Sequence, residues 1–377
     1  MKKIQMVDLQ SQYQKISAEI DQAIHEVVVS TKFINGPAVK EFADELAVYL
    51  SVKNVVPCAN GTDALQIAMM AIDLQPGDEV IIPAFTYVAT AEVIALLKLT
   101  PVMVDVHPAT FLIDTNQIEQ AITPKTKAIV PVHLFGQCAD MEKIMQIAQH
   151  HNLYVIEDAA QAIGADFLFS DGTKMKAGTI GNIGATSFFP SKNLGCFGDG
   201  GAMFTNDDAI AKRLKMISNH GQSVHYQHDD IGVNSRLDTI QAAVLKVKLK
   251  HLTAYSEARV AVADYYDQAF KNHPNLITPK RVENSTHVFH QYTMQTIGIN
   301  RDELRKYLLE KDIPAMVYYP IPLHHQKAYS DKRYDGVLPI TENLCKCVIS
   351  LPISTEMDME QLNYISSNML QFCITRK

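Results

Sequence analysis

"LYVIEDAAQAIGA", residues 153–165, is the stretch that decides the fold. It opens with the apolar run Leu153–Ile156, ends that run on two carboxylates, Glu157 and Asp158, and passes at once into small residues. A short unbroken apolar run bounded in this way reads as a strand buried on both faces. Strands of that kind belong to parallel sheets covered by helices. Working outward, the pattern recurs at "VIIP" (80–83), "PVMVDV" (101–106), "KAIVPVH" (127–133), "GATSF" (184–188) and "GAMFT" (201–205). The stretches Ala89–Leu97, Met141–His150 and Asp207–Ser218 between them carry apolar residues at helical spacing. Strands alternating with helices predict an α/β fold with a mostly parallel sheet flanked by helices. We assign it, with an N-terminal arm, to residues 1–255, closed by one long helix over Leu237–Val260. Beyond it, "NLITPKRV", "HVFHQYTMQTIGI", "RDELRKYLLEKD" and "CVISLPIS" predict a smaller α+β domain over 256–377.

A chain of 377 residues is long enough for two such domains. Its 34 basic and 41 acidic residues give a net charge of −7, and its longest basic pattern, "LKVKLK" at 245–250, reads as one face of a helix. Nucleic acid is therefore not an expected partner. No apolar run reaches the length of a membrane span, and "MKKIQMVDLQSQYQKI" lacks the apolar core of a secretory signal. The six cysteines, at 58, 138, 196, 345, 347 and 373, are scattered in or beside apolar segments and read as reduced thiols, which places the protein in the cytoplasm. No metal site is expected: His220, His225 and His228 follow no ligand spacing in common use, and His324-His325 reads better as a substrate contact.

In open α/β sheets ligands gather at the carboxyl ends of the strands, and the chemistry-bearing residues lie there. "NVVPCAN" runs into "GTDALQIAM", where Gly61, Thr62 and Asp63 open a helix. Free N–H groups at that terminus suit an anion such as phosphate, although an ordinary helix cap would use the same residues. Tyr87, after the strand ending at Pro83, could stack on a planar ligand or serve as a plain loop tyrosine. Asp158, at the end of a buried strand, needs a partner that offsets its desolvation; a protonated ring nitrogen would serve, as would a salt bridge or a cap. In "SFFPSKNLGCFGDGGAMFT", Lys192 stands among Phe188, Phe189, Leu194 and Phe197, surroundings that read as dry. Burial lowers an amine's pKa and makes it nucleophilic toward carbonyls. Ser187 could hold a phosphate nearby. Taken together in this order, the residues match what pyridoxal 5′-phosphate (PLP) requires of a protein.

With "VDLQSQY", "GPAVKEFADELAVYL", "CANGTDAL", "PGDEVIIPAFTYVATAEVI", "IVPVHLFGQCADM", "NSRLDTIQAA" and "YYPIPLH" added, the chain resembles the DegT/StrS-type PLP-dependent sugar aminotransferases of fold type I over nearly its whole length. The resemblance implies that Lys192 forms the Schiff base, with pyridoxamine phosphate as the intermediate form of the cofactor. It implies that Asp158 pairs with the pyridine nitrogen, Gln161 lies near the phenolic oxygen, Tyr87 stacks on the ring, and Gly61, Thr62, Asp63 and Ser187 cradle the phosphate. It further implies a homodimer with shared active sites, in which Asn234 reaches the phosphate of the neighbouring subunit. Phe33, Ile34 and Asn35, with Arg236, Tyr318, Tyr319 and His324, match positions near the sugar or its nucleotide.

Within the family, "KNLGCFGDGG" looks like enzymes that aminate C3 ketones. "CANGTDALQIA", "GQCADM" and "NSRLDT" look most like aminotransferases for UDP-2-acetamido-3-oxo-glucuronate, which draw on L-glutamate, release 2-oxoglutarate and feed surface polysaccharide such as lipopolysaccharide O-antigen. Two departures point to a different sugar, such as a dTDP-linked 3-oxo-6-deoxyhexose. Tyr318 stands where those enzymes often have histidine. "FLFSDGTKMKAGTIGNIG" is longer than usual and has Asn182 where aspartate is common. Dehydratases of the family carry histidine in place of the lysine, so Lys192 argues against that activity. A non-catalytic sensor on the same fold is the alternative from another class, and a Rossmann dehydrogenase is disfavoured because no G-x-G-x-x-G follows the first strand.

Overall fold

The computed structural model describes residues 2–375. Seven strands form the central sheet: β1 (Asn54–Cys58), β2 (Glu79–Pro83), β3 (Thr100–Val104), β4 (Thr126–Ile129), β5 (Tyr154–Asp158), β6 (Ile183–Ser187) and β7 (Gly201–Thr205). Their spatial order is β1-β7-β6-β5-β4-β2-β3. Neighbours from β6 to β3 run parallel, whereas β7 is antiparallel to both β1 and β6. One strand is thus reversed in an otherwise parallel sheet. The predicted runs fall on these strands, with edges shifted by one or a few residues. The run 127–133 leaves regular pairing after Ile129, but Val132 still bridges Asp158.

The first six helices are α1 (Leu9–Ser30), α2 (Pro37–Leu50), α3 (Gly61–Ala71), α4 (Ala89–Leu96), α5 (Thr115–Ala121) and α6 (Met141–His151). Short polar side chains cap two of those that cover the sheet: Asn60 accepts from Asp63 N–H at the start of α3, and Asp140 accepts from Lys143 N–H at the start of α6. The large core lies on one face of the sheet, with Ile67, Ala68, Val80, Ile82, Ile156 and Met203 among its fully buried members, and a second core with Ile81, Ile129 and Val155 covers the other face. A separate core holds the three-stranded antiparallel sheet Leu276–Ile277, Tyr292–Thr296 and Val348–Leu351, with Phe270, Leu304, Leu308 and Phe372 around it. Leu323, Tyr334 and Leu338 return to the large core, and Tyr334 Oη ties to Met103 N–H and the Pro101 carbonyl.

The single helix expected over 237–260 is two helices, Thr239–Leu249 and Leu252–Ala269. No proline or glycine marks the break. Tertiary packing sets it: the first helix and Leu252 are buried against Phe42 and Phe188, whereas Val262, Ala263 and Tyr266 enter the other core. Among the described residues no helix is long and apolar enough to cross a membrane.

Candidate active site

The carboxyl end of β5 meets the ends of β1 and β6 around a cavity of about 570 Å³. Gly61, Thr62, Tyr87, Asp158, Gln161, Ser187, Lys192, Tyr318 and Tyr319 all line it. Side chains alternate along a strand, so Glu157 and Asp158 face opposite ways. Glu157, fully buried, binds His133 Nε2 at 2.8 Å and accepts from the N–H groups of Gly178, Ile180 and Gly181. His133 Nδ1 accepts from Ala139 N–H, so the ring proton sits on Nε2 and is donated to Glu157. That arrangement anchors the loop behind β5. Asp158 turns toward the cavity and accepts from Thr90 Oγ1 at 3.0 Å and Ala160 N–H at 3.2 Å. Burial raises its carboxyl above the ordinary range, and these two hydrogen bonds with the charge of Lys192 offset part of that rise. A cation brought to Asp158 would complete the offset.

Lys192 stands on a turn in which its own N–H donates to the Phe189 carbonyl. Burial lowers its amine to about 8, against a smaller opposite pull from Asp158. Its dryness has a different source from the one expected. Phe188 and Leu194 point into the core, while Phe189 and Phe197 are 52% and 44% exposed. Of these four only Phe189 lines the cavity with Lys192, so no ring of aromatics encloses the amine. Lys248 is also lowered to about 8 by burial. It does not line the cavity, and its Nζ donates to the Gly195 carbonyl at 2.6 Å. Of the two lysines, only Lys192 is placed to meet a ligand.

Opposite lies the first turn of α3. Asn60 takes the Asp63 N–H, and the N–H groups of Gly61 and Thr62 precede any helical acceptor. A Cβ on Gly61 would stand 2.6 Å from Ser187 Cβ, so only glycine lets the helix terminus close on the strand end. The Ser187 hydroxyl accepts from Phe189 N–H and keeps its proton for another acceptor. Thr86 Oγ1 is buried on the cavity wall with no partner among the described residues. Gln161 bridges Phe135 N–H and Tyr319 Oη, and the Tyr87 and Tyr319 rings are 6.2 Å apart.

Several expected residues lie elsewhere within this chain. Asp63 sits in the first turn of α3 but does not line the cavity, and Asn234 is on the surface. Phe33, Ile34 and Asn35 are exposed, and Arg236 is half-buried away from the cavity. His324 is buried against Tyr334 with Nε2 3.4 Å from Glu342 Oε1. Asn182, one of the two departures from the family pattern, lies outside the cavity, and its side-chain oxygen accepts from Val155 N–H. An aspartate could accept the same bond, so this difference is structural. Sequence reading missed Asn60, Thr86, Thr90, His290 and Gln291. The caps carried a signal, since Asn60 immediately precedes the helix, but nothing local marks His290.

The cavity therefore presents a buried carboxylate, a lysine of lowered pKa, unpaired donors at a helix terminus and an exposed phenol ring. PLP fits each: its ring nitrogen, aldehyde, phosphate and ring face in turn. This sheet with such a lysine defines a PLP-dependent enzyme of fold type I. The chain belongs to the DegT/DnrJ/EryC1/StrS aminotransferase family, which it matches over residues 14–370. It is a PLP-dependent sugar aminotransferase. It is 44% identical to a UDP-2-acetamido-2-deoxy-3-oxo-D-glucuronate aminotransferase of Pseudomonas aeruginosa, over 96% of this chain and 98% of that one. It is 45% identical to a pleiotropic regulatory protein of Geobacillus stearothermophilus, over 98% of both chains. Among solved structures, S. venezuelae DesV in complex with a ketimine intermediate superposes with a TM-score of 0.94 at 37% identity, covering 99% of each chain.

Proposed function

We propose that this aminotransferase moves an amino group from L-glutamate to the C3 ketone of UDP-2-acetamido-3-oxo-glucuronate, in the cytoplasm, for surface polysaccharide such as O-antigen. The observation that carries the chemistry is the presence of Lys192 and Asp158 in one cavity. The choice of sugar is supported by the 44% identity to the P. aeruginosa enzyme over nearly the full length.

Bound PLP supplies an electron sink for the carbon that carries the amine. Lys192 would hold the cofactor through its amine, and the free amine would be the group placed to take up and return a proton in the cavity. Its lowered pKa, about 8, keeps an unprotonated fraction available at neutral pH. Asp158 would pair with the ring nitrogen and favour its protonated form. Gly61, Thr62 and Ser187 would hold the phosphate, Tyr87 would cover the ring face, and Gln161 would meet the phenolic oxygen. Arg236 pairs with a carboxylate, that of glutamate or of the hexuronate. Phe33, Ile34, Asn35, Tyr318, Tyr319 and His324 are assigned to the sugar nucleotide.

The working unit in this reading is a homodimer. Asn234, Phe33 and Ile34 are exposed on one chain, and a second copy would cover them and bring Asn234 to the phosphate. Sedimentation should give twice the mass of the 42.0 kDa chain. Tyr318 on the cavity wall favours the alternative substrate, a dTDP-linked 3-oxo-6-deoxyhexose. Assaying both ketones with glutamate and detecting the amino sugar by mass spectrometry tests the choice. The reading expects the UDP-hexuronate to react with at least about 100-fold higher kcat/KM, on the scale of one lost charged contact. A preference for the dTDP sugar would overturn it.

A further inference from the structure

Thr90, the second residue of α4, is fully buried, and its hydroxyl donates to Asp158 Oδ2 at 3.0 Å. A helical threonine commonly gives that proton to a carbonyl of the preceding turn. Here it goes to a carboxylate at the end of a strand on another element.

The Asp158 backbone is already fixed. Its N–H donates to the Pro131 carbonyl, its carbonyl accepts from His133 N–H, and it pairs with Ala185 on β6. What remains is rotation of the side chain, and two donors set it: Thr90 Oγ1 on Oδ2, and Ala160 N–H on Oδ1 at 3.2 Å. Each oxygen keeps a lone pair for a further donor. The kind of donor matters as much as its place. A lysine or arginine behind the carboxylate would neutralise it and oppose a second positive charge in front. A hydroxyl is uncharged, so it favours the anion and leaves the whole charge for a cation brought into the cavity. Burial raises the Asp158 carboxyl, and the Thr90 hydrogen bond is one of the contributions that bring it back down.

Thr90 also reaches a second wall of the cavity. It lies just beyond Tyr87, across the start of α4, where Ala91 and Glu92 N–H both donate to the Val88 carbonyl. Its bond therefore pins the helix start that follows Tyr87 to the strand end that carries Asp158.

We propose that Thr90 is a positioning residue for the cofactor: its hydroxyl holds the Asp158 carboxylate as an anion turned to the pyridine nitrogen, and ties the Tyr87 turn to that carboxylate. No bond is made or broken in this role. The inference rests on the assignment of Asp158 made above.

The test uses Thr90→Val, which keeps the shape and loses the donor, and Thr90→Ser, which keeps the donor. Cofactor-free protein is titrated with pyridoxal phosphate and, separately, with an analogue in which carbon replaces the ring nitrogen; fluorescence reads the binding. T90V should bind pyridoxal phosphate about tenfold more weakly, the scale of one hydrogen bond to a charged group, and should bind the analogue as wild type does. T90S should recover most of the lost affinity. Wild-type affinity for pyridoxal phosphate in T90V would overturn the proposal. Equal weakening toward both compounds would reduce Thr90 to packing and overturn it, as would a T90S no better than T90V. Asp158→Asn run alongside separates the two claims. It should no longer distinguish pyridoxal phosphate from the analogue, and if it distinguishes them as wild type does, the Asp158 assignment itself fails.

Discussion

Replacing Asp158 by asparagine should push two measurable quantities in opposite directions. Lys192 is lowered to about 8 by burial, and the Asp158 charge is the pull that keeps it from falling further. At pH 7 an amine of that pKa is unprotonated about one time in ten, against about one in 3,000 for an ordinary lysine. Removing the anion disfavours the ammonium, so in D158N the midpoint should fall by about one unit. Capture of pyridoxal phosphate by cofactor-free protein, followed by absorbance across pH, should then hold or quicken per bound cofactor at neutral pH. Turnover with glutamate and a keto sugar should drop roughly 10³-fold, because the anion that favours a charged ring nitrogen is gone. Asparagine keeps the shape; its amide oxygen can accept from Ala160 N–H while its amide nitrogen donates to Thr90 Oγ1, so folding is little disturbed. A midpoint that rises, or turnover within tenfold of wild type, would refute the electrostatic pairing of the two residues.

Gly61→Ala should weaken cofactor binding about tenfold or more, because its Cβ would stand 2.6 Å from Ser187 Cβ and part the phosphate cradle; fluorescence titration with the cofactor reads this directly. Glu157→Ala strips the partner from His133 and three backbone N–H groups at a fully buried site and should cost about 3–5 kcal/mol in urea unfolding. Lys248→Met removes the donor to the Gly195 carbonyl and should lower stability by about 1–3 kcal/mol while leaving Lys192 able to form its linkage, checked by unfolding and absorbance on the same sample.

The sheet was legible because each strand is a short apolar run bounded by turn residues, the mark of strands buried on both faces. Lys192 and Asp158 were legible for a related reason: both are charges set in apolar sequence, and only a ligand or a partner makes that tolerable. What the sequence hid was set by tertiary contact. The helix break at Lys250-His251 has no local breaker and follows from serving two cores. His290 sits in "HVFHQYTM", which reads as an ordinary strand; its place on the cavity wall depends on Asn193 reaching Val288 and on Arg259 pinning the carbonyls. Phe197 read as a wall of the lysine pocket. Instead it is exposed, its ring 5.6 Å from Lys248 Nζ.

Among the described residues two lysines have amines lowered to about 8, and only one can carry the cofactor. Reducing the holoenzyme with borohydride fixes the cofactor to whichever amine holds it, and peptide mass spectrometry then reads the position. The account predicts a pyridoxyl label on the peptide containing Lys192, lost when glutamate is added before reduction. A label on Lys248 or on any other lysine, or none at all, would contradict it.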